Sequence, residues 1–262
     1  MTRLSWSNVG ERFFEAGVDR GVLYVGTADG VPWNGLVSVD ESPSGGELQA
    51  YYMDGVHYLS SVSPEAFEAT LTAFYSPPEF DPCDGNKALA LGLSAGRQKR
   101  VPFGLSYRSM VGNDVDGQSH GYKIHILYNL IAGPTARSYS SIDDNPDPMT
   151  LSWKIISKPE AIASSAPSAY LILNTMEANP GAVTQLEDIL YGTSTTPPRL
   201  PLPAEVIGLV NSADLLITDL GSGQFLASGS AGIVDTGPGG TFTLNDPDVI
   251  PGTGGTYVAS SP

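Results

Sequence analysis

The sequence predicts a mainly β, antiparallel protein with one α-helix and a small β-rich C-terminal appendage. Three observations point there. Glycine (30) and proline (21) are abundant among the 262 residues, which favours short strands and turns. Runs with alternating apolar and polar side chains recur at short intervals, and turn residues separate them. Hydrophobic residues make up 41% of the chain, too many for a disordered one.

Taken in order, "GVLYVGTADG" and "VPWNGLVSVD" are two strand-like runs broken by Asp29-Gly30, a dipeptide suited to a tight hairpin. "ESPSGG" is expected to turn the chain into "ELQAYYMDG". From Phe67 to Tyr75 the pattern is that of a half-buried strand, with Phe67, Ala69, Leu71, Ala73 and Tyr75 on one face and Glu68, Thr70 and Thr72 on the other. "VPFGLSYRSM" and "GYKIHILYNLIAG" follow; in the second, Tyr122, Ile124, Ile126, Tyr128 and Leu130 are expected to share a face opposite Lys123, His125 and Asn129. "MTLSWKIISKP" and "SAYLILNTM" supply two more strands.

A helix is predicted over about 180–191. Asn179 caps it, Pro180 takes the first helical position, Val183, Leu186, Ile189 and Leu190 form one stripe, and Gly192 stands past the end. The stiff connector "TSTTPPRLPLP" comes next. The domains are read as a β domain over 1–205 and a Gly/Ser/Thr-rich extension over 206–262, with hairpin signals at "LITDLGSGQFLASG", "GGTFTL" and "GGTYVASS".

The balance of 28 acidic against 13 basic residues gives a net charge of −15, which disfavours sequence-specific nucleic-acid binding. The single Cys83 excludes an intrachain disulfide framework and a cysteine metal pair. The N-terminal stretch lacks the apolar core of a secretory signal, and no run approaches the roughly 20 apolar residues that span a bilayer, so the expectation is a soluble chain made in a reducing cytoplasm, with no membrane partner.

Catalytic candidates are weak. His57, His120 and His125 lie in turn or strand contexts without metal spacing. "NDVDG" (Asn113 to Gly117) and the acids Asp143, Asp144 and Asp147 read as turn chemistry, because Asp and Asn bond their own backbone. "GLSAG" at Gly92 to Gly96 fits a nucleophile elbow but lacks the strand before it and the helix after it. No catalytic, cofactor-binding or metal-ligating residue is assigned, and no cofactor is expected.

One segment does not fit a simple strand-turn pattern. After Ser76 the chain makes a long excursion with three prolines, Cys83, a small-residue stretch and the basic "RQKR" (Arg97 to Arg100). It could be a lid over a site or an arm for a neighbouring subunit.

The ordered phrases "AGVDRGVLYV", "GVPWNGLVSVDES", "YYMDGVHYL", "FEATLTAFYSPPEFDPCDG", "FGLSYRS", "GYKIHILYNL", "DPMTLSWKIISKP" and "LEDILYGT…PPRLPLPAEVI" resemble the major tail proteins of siphophages infecting actinobacteria, over about Gly17 to Val210. The resemblance implies an antiparallel β-sandwich or barrel-like tail-tube fold with a packed α-helix, whose copies form stacked hexameric rings, a structural virion component with no catalytic residues. It implies a virion-tail location after assembly in the host cytoplasm. The implied partners are further copies of the chain, a tape-measure protein in the lumen, tail terminator and distal tail proteins at the ends, tail assembly chaperones, and DNA that passes without specific binding. On that reading residues 77–102 are expected to be an inter-subunit contact loop using Pro77, Pro78, Asp81, Arg97, Lys99 and Arg100, and Glu68, Thr70 and Thr72 to face the lumen. The competing readings are a carbohydrate-binding or adhesin-type β module, with Trp33, Tyr51, Tyr52 and Tyr58 for sugar stacking, and an all-β hydrolase.

Overall fold

The computed structural model describes residues 6, 8–46, 48–62, 65–139, 148–163, 165–213 and the short strands between 216 and 259. These form two compact units, one of residues 1–176 with 188–203 and the other of residues 177–187 with 204–262.

The first unit carries the strands β1 (Phe14–Val25), β2 (Val31–Pro32), β3 (Leu36–Glu41), β4 (Ser44–Gly45), β5 (Leu48–Met53), β6 (Val56–Val62), β7 (Glu65–Ala66) and β8 (Glu68–Ala73). A 3-10 turn at Pro78–Phe80 leads into the one-turn helix α1 (Asp81–Asp84). Then come β9 (Lys87–Ala90), β10 (Leu93–Ala95), β11 (Phe103–Asn113), β12 (Gly117–Ala132), β13 (Leu151–Ser157) and β14 (Tyr170–Asn174). Eight of these form an antiparallel sheet in the order β2-β1-β11-β12-β13-β8-β3, with β14 also paired to β12. The mainly β, antiparallel class read from the sequence is the observed one.

The sheet curls so that β1 and β3 approach without pairing. At Gly21 the approach is close: a Cβ there would lie 2.7 Å from Leu36 Cδ2, so the end of that leucine would have to shift. Inside the curl Trp33, Phe80, Phe103 and Trp153 interlock, with the Phe80 ring centred 4.7 Å from Trp33 and 5.1 Å from both Phe103 and Trp153. Leu23, Leu71, Leu105, Leu127, Leu130 and Ile155 complete a core from which water is excluded. Each such burial stabilises by about 1.5–3 kcal/mol, and the edge-to-face ring pairs add about 0.5–1.5 kcal/mol.

Several local expectations meet corrections. The alternation at Phe67–Ala73 holds, but the strand ends at Ala73, and Tyr75 is exposed rather than inward. "VPWNGLVSVD" is not one strand: it breaks between β2 and β3, where Trp33 turns into the core and Gly35 takes φ +88°. "ESPSGG" does not reverse the chain. Glu41↔Ala69, Ser44↔Ala66 and Leu48↔Val62 are successive pairs of one interrupted ribbon that reverses only at Asp54-Gly55, both at positive φ. In β12, Leu130 leaves the face of Ile124 and Ile126 and joins Leu127 in the core. Leu105 pairs with Leu127 but Phe103 with Leu130, so one residue is extra, and Asn129 at φ +48° absorbs it as a bulge.

β11 is buried on both faces over residues 103–108. Opposite the core, Tyr24 Oη donates to the Leu190 carbonyl at 2.7 Å and lies 3.1 Å from Ser106 Oγ. Arg108 grips Asp19 through two hydrogen bonds of 2.9 and 2.7 Å and lies 4.3 Å from the centre of the Tyr122 ring. Leu200 packs against Gly104.

Helix α2 (Pro180–Tyr191), of which Asp188–Tyr191 count with the first unit, starts at Asn179, whose Oδ1 accepts from the Gly181 amide at 2.8 Å. Past its end Gly192 takes φ +77°. A further helix, α3 (Pro203–Ala213), also opens on proline. The strands Leu216–Gly221 and Gln224–Ser228 pair as a hairpin where the sequence signals one, and shorter pairs link residues 235–236 with 242–243 and 249–250 with 258–259.

Phe80 is the residue on which the excursion is pinned to the core. Phe80→Ala should lower unfolding stability in urea by about 3–5 kcal/mol; a loss under about 1 kcal/mol would show that the ring cluster is incidental. Cys83, fully buried beside it with its thiol pushed up to about 12 by burial, should resist maleimide in the wild type and react in that variant well below the unfolding midpoint.

Candidate assembly surfaces

The ribbon that β3 and β8 begin continues past the sheet as β4–β7 and then β5–β6, pairing only with itself. Every residue of β5 and β6 is exposed. The uncovered side chains include Leu48, Tyr51, Tyr52, Met53, Val56, Tyr58, Leu59 and Val62, so both faces of the hairpin are apolar. Its sequence "LQAYYMDGVHYLSSV" carries one carboxylate, Asp54, and no Lys or Arg. Two-stranded hairpins are marginal in water on their own, and apolar patches of this extent mark contact surfaces.

The excursion over residues 77–102 divides into a root and a finger. In the root, Pro77, Phe80 and Cys83 are buried, Pro78 opens the 3-10 turn, and Asp81 begins α1 and accepts from the Asn86 amide at 2.8 Å through its carbonyl. Arg100 belongs to the root as well: it donates to the Ala132 carbonyl at 2.9 Å and faces Asp84 at 3.4 Å, where Arg137 also pairs. Arg97 and Lys99 are exposed and lie on the finger side. The six residues proposed as one contact set are thus split, with Pro77, Asp81 and Arg100 built into the fold. The sequence reading passed over Leu89, Leu91 and Leu93, which are exposed on the β9–β10 hairpin. The alternation in "KALAL" before Gly92 was the available signal.

Glu68, Thr70 and Thr72 lie together on the outer face of β8. Their cross-strand neighbours are polar too: Asp40 and Lys154 flank Thr70, and Ser38 and Ser152 flank Thr72. Lys154 at 2.6 Å, and then the Ser44 hydroxyl at 2.6 Å, hold the Glu68 carboxyl below its ordinary value. This is a small, hydrophilic wall with Ala69, Leu71 and Ala73 sealed behind it.

Among the described residues the other sequence candidates assemble no reaction site. Asn113 Oδ1 accepts from the Val115 amide at 3.0 Å and from that of Asp116, which is turn chemistry. His120 pairs with Asp116 at 3.0 Å on the same turn, and His57 meets Ser60 at 2.9 Å on the exposed ribbon. Asp143, Asp144 and Asp147 lie outside the described residues. "GLSAG" is a hairpin turn running into β10. Trp33 is 3% exposed, so it is not available to stack on a sugar. Among the described residues no cluster of His, Cys, Asp and Glu could hold a metal ion, and no helix is long and apolar enough to cross a membrane. A groove of about 630 Å³ lies beside Gly21, Trp33, Leu36 and Tyr191; its charged groups are engaged, Asp19 with Arg108 and Arg20 over the Tyr191 ring at 5.6 Å.

No family model matches this chain, and no curated protein does. Among solved structures it is similar to a chain of the sheath–tube complex of PVC, an extracellular contractile injection system, in the extended state, at 13% identity and a TM-score of 0.30, covering 66% of this chain and 95% of that one. The PVC sheath/tube terminator gives 13% identity, a TM-score of 0.28, and coverage of 65% and 99%. The tube-terminating cap of the anti-feeding prophage gives 12%, 0.29, and coverage of 67% and 97%. Overlaps this loose assign no fold family.

His125 stacks on Tyr107 with ring centres 4.6 Å apart and its Nε2 lies 2.9 Å from Ser109 Oγ, while Nδ1 is buried without a hydrogen-bond partner. Burial lowers its pKa, against smaller opposing pulls from Glu41 and Glu15. The folded chain therefore resists a proton that the unfolded chain accepts near its ordinary value of 6.5. Stability should fall as pH drops below that value, and His125→Gln should flatten the slope between about pH 7.5 and 5.5 in urea titrations. An unchanged slope would assign it to other groups.

Proposed function

We propose that this chain is a structural virion protein, a tail-tube subunit. Its copies self-assemble into stacked hexameric rings around a tape-measure protein and form a conduit for DNA ejection. The observation that carries this reading is the β5–β6 hairpin. A folded body with a complete core extends a ribbon whose two faces are both apolar, and other protein would cover both. Further copies are the natural cover, because closing a ring also pairs sheet edges that would otherwise stay open. The ordered sequence phrases shared with siphophage major tail proteins support the same reading.

On this reading the outer wall of β8 faces the lumen. Glu68, Thr70 and Thr72 offer polar side chains to passing DNA, and Lys154, the cation beside Thr70 on the next strand, is paired with Glu68. A wall without free cations gives phosphates nothing to release counterions against, so DNA slides past. The remaining partners follow from the tube role: terminator and distal proteins at its ends, and chaperones that keep the apolar ribbon apart before assembly. The protein works by association and performs no reaction.

Exposed Tyr51, Tyr52 and Tyr58 on the same hairpin are what favours the second reading, an adhesin-type module that stacks aromatic rings on sugars.

Electron microscopy of the purified chain separates the two. Wild-type protein should form rings or hollow tubes. A variant in which an Asn-Gly turn replaces residues 48–62 should keep a cooperative thermal transition and remain monomeric. A wild type that stays monomeric and binds glycans would falsify the tube reading.

A further inference from the structure

Beyond its buried root, the excursion ends in a finger that nothing else in the described chain covers. β9 and β10 pair only with each other. Leu89, Leu91 and Leu93 are 63%, 107% and 58% exposed, so Leu91 stands fully in solvent. The base is held firmly: the Gln98 amide donates to the Gly85 carbonyl at 2.9 Å and the Val101 amide to Pro82 at 3.1 Å, while Arg100 is tied to Asp84 and Ala132. A well-anchored hairpin with an apolar tip is built to be inserted rather than to wave.

Its charge identifies the occupant. Residues 85–100 hold Lys87, Arg97, Lys99 and Arg100 and no carboxylate, so of the chain's −15 the remainder carries −19. With Arg100 engaged in the root, three exposed cations, Lys87, Arg97 and Lys99, flank the leucines in sequence. We propose that the β9–β10 finger docks on a second copy of this chain, seating Leu89, Leu91 and Leu93 against it and setting Lys87, Arg97 and Lys99 against its acidic surface. The same acidic excess that makes a second copy attractive to the finger repels phosphate-rich partners from the rest of the molecule. This inference rests on the self-assembly reading and names one of its contacts; the working part of the excursion is the leucine tip, with the cations as guides.

The test uses the full-length chain in sedimentation velocity and electron microscopy. Two variants are compared with the wild type: Leu89→Ser with Leu91→Ser and Leu93→Ser, and Arg97→Glu with Lys99→Glu. Because these side chains are exposed, both should keep the wild-type thermal midpoint. The leucine variant should need at least about tenfold more protein to assemble. The charge variant should assemble more slowly, with a rate that no longer falls as salt is raised. Should the leucine variant misfold, the charge variant alone decides. Assembly by both variants at the wild-type concentration and rate overturns the finger while leaving the tube reading intact. A wild type that never assembles overturns the tube reading and the finger with it. Duplex DNA and anionic vesicles are tested alongside; binding to either that the variants lose, with self-assembly unchanged, also overturns the proposal.

Discussion

The fold depends on one packing constraint, the closure of a curled sheet around Phe80. Trp33, Phe103 and Trp153 come from parts of the sheet that are not neighbours in its strand order, and they meet only because the sheet bends back on itself. The ring at their centre does not come from a strand at all. It is delivered by the short turn after β8, so the excursion completes the core of the body it leaves. Removing that ring would leave a cavity surrounded by rigid aromatic walls that cannot collapse, the situation in which large-to-small changes are most costly. Gly21 lies on the same seam, where an added Cβ would displace the end of the Leu36 side chain.

Closure gives the molecule two regimes of sequence. Within the body the pattern obeys the strand period: Ala69, Leu71 and Ala73 go inward and Glu68, Thr70 and Thr72 outward. On the ribbon the period disappears, because Tyr51 and Tyr52 are adjacent in sequence, lie on opposite faces, and are both exposed. A strand that serves only its own core has no use for apolar side chains on its solvent face. The ribbon's pattern makes sense when it has two covers rather than one, which is the condition of a segment shared between molecules. The root of the excursion is treated as interior and its finger as surface in the same way, with the change falling between Gly85, which is buried and at φ +81°, and the exposed Lys87.

Much of the body was legible from pattern. The alternation after Phe67, the paired runs that became β11 and β12, and the helix bracketed by Asn179 and Gly192 are all local signals, and local physics decides them. What escaped the sequence reading depended on distant partners. "ESPSGG" has the composition of a reversal, yet β4 and β7 carry the ribbon through it because strands on either side stay in register. Leu130 changed faces through a single bulge at Asn129, which no two-residue period can announce. Trp33 looked like a surface aromatic until the curl of the sheet enclosed it. The contact set was read from the prolines of the excursion and the charge of "RQKR", and neither signal reveals that Arg100 pairs with Asp84 while the leucines before it are exposed. The acidic wall candidates were placed correctly on one face by the strand period, but their pairing with Lys154 and Ser44 required the neighbouring strands.

Charge placement explains how copies with a net charge of −15 could associate under the proposed reading. Like-charged bodies repel through a screened potential that decays over about 8 Å at physiological ionic strength, so the repulsion matters mainly during approach. The parts that would touch first are those with the least of it: the ribbon carries a single carboxylate over residues 48–62, and the finger carries only cations. Once contact is made, apolar burial acts at a range where screening is irrelevant, and a few leucines and tyrosines outweigh a residual repulsion spread over distant carboxylates. The acidic excess then has a constructive consequence. It discourages body-to-body approaches that bring neither an arm nor a sheet edge into contact, since these meet the repulsion without a compensating gain. A chain of this kind separates most of its charge from the surfaces that would join it, so a strongly acidic protein can be selective in self-association.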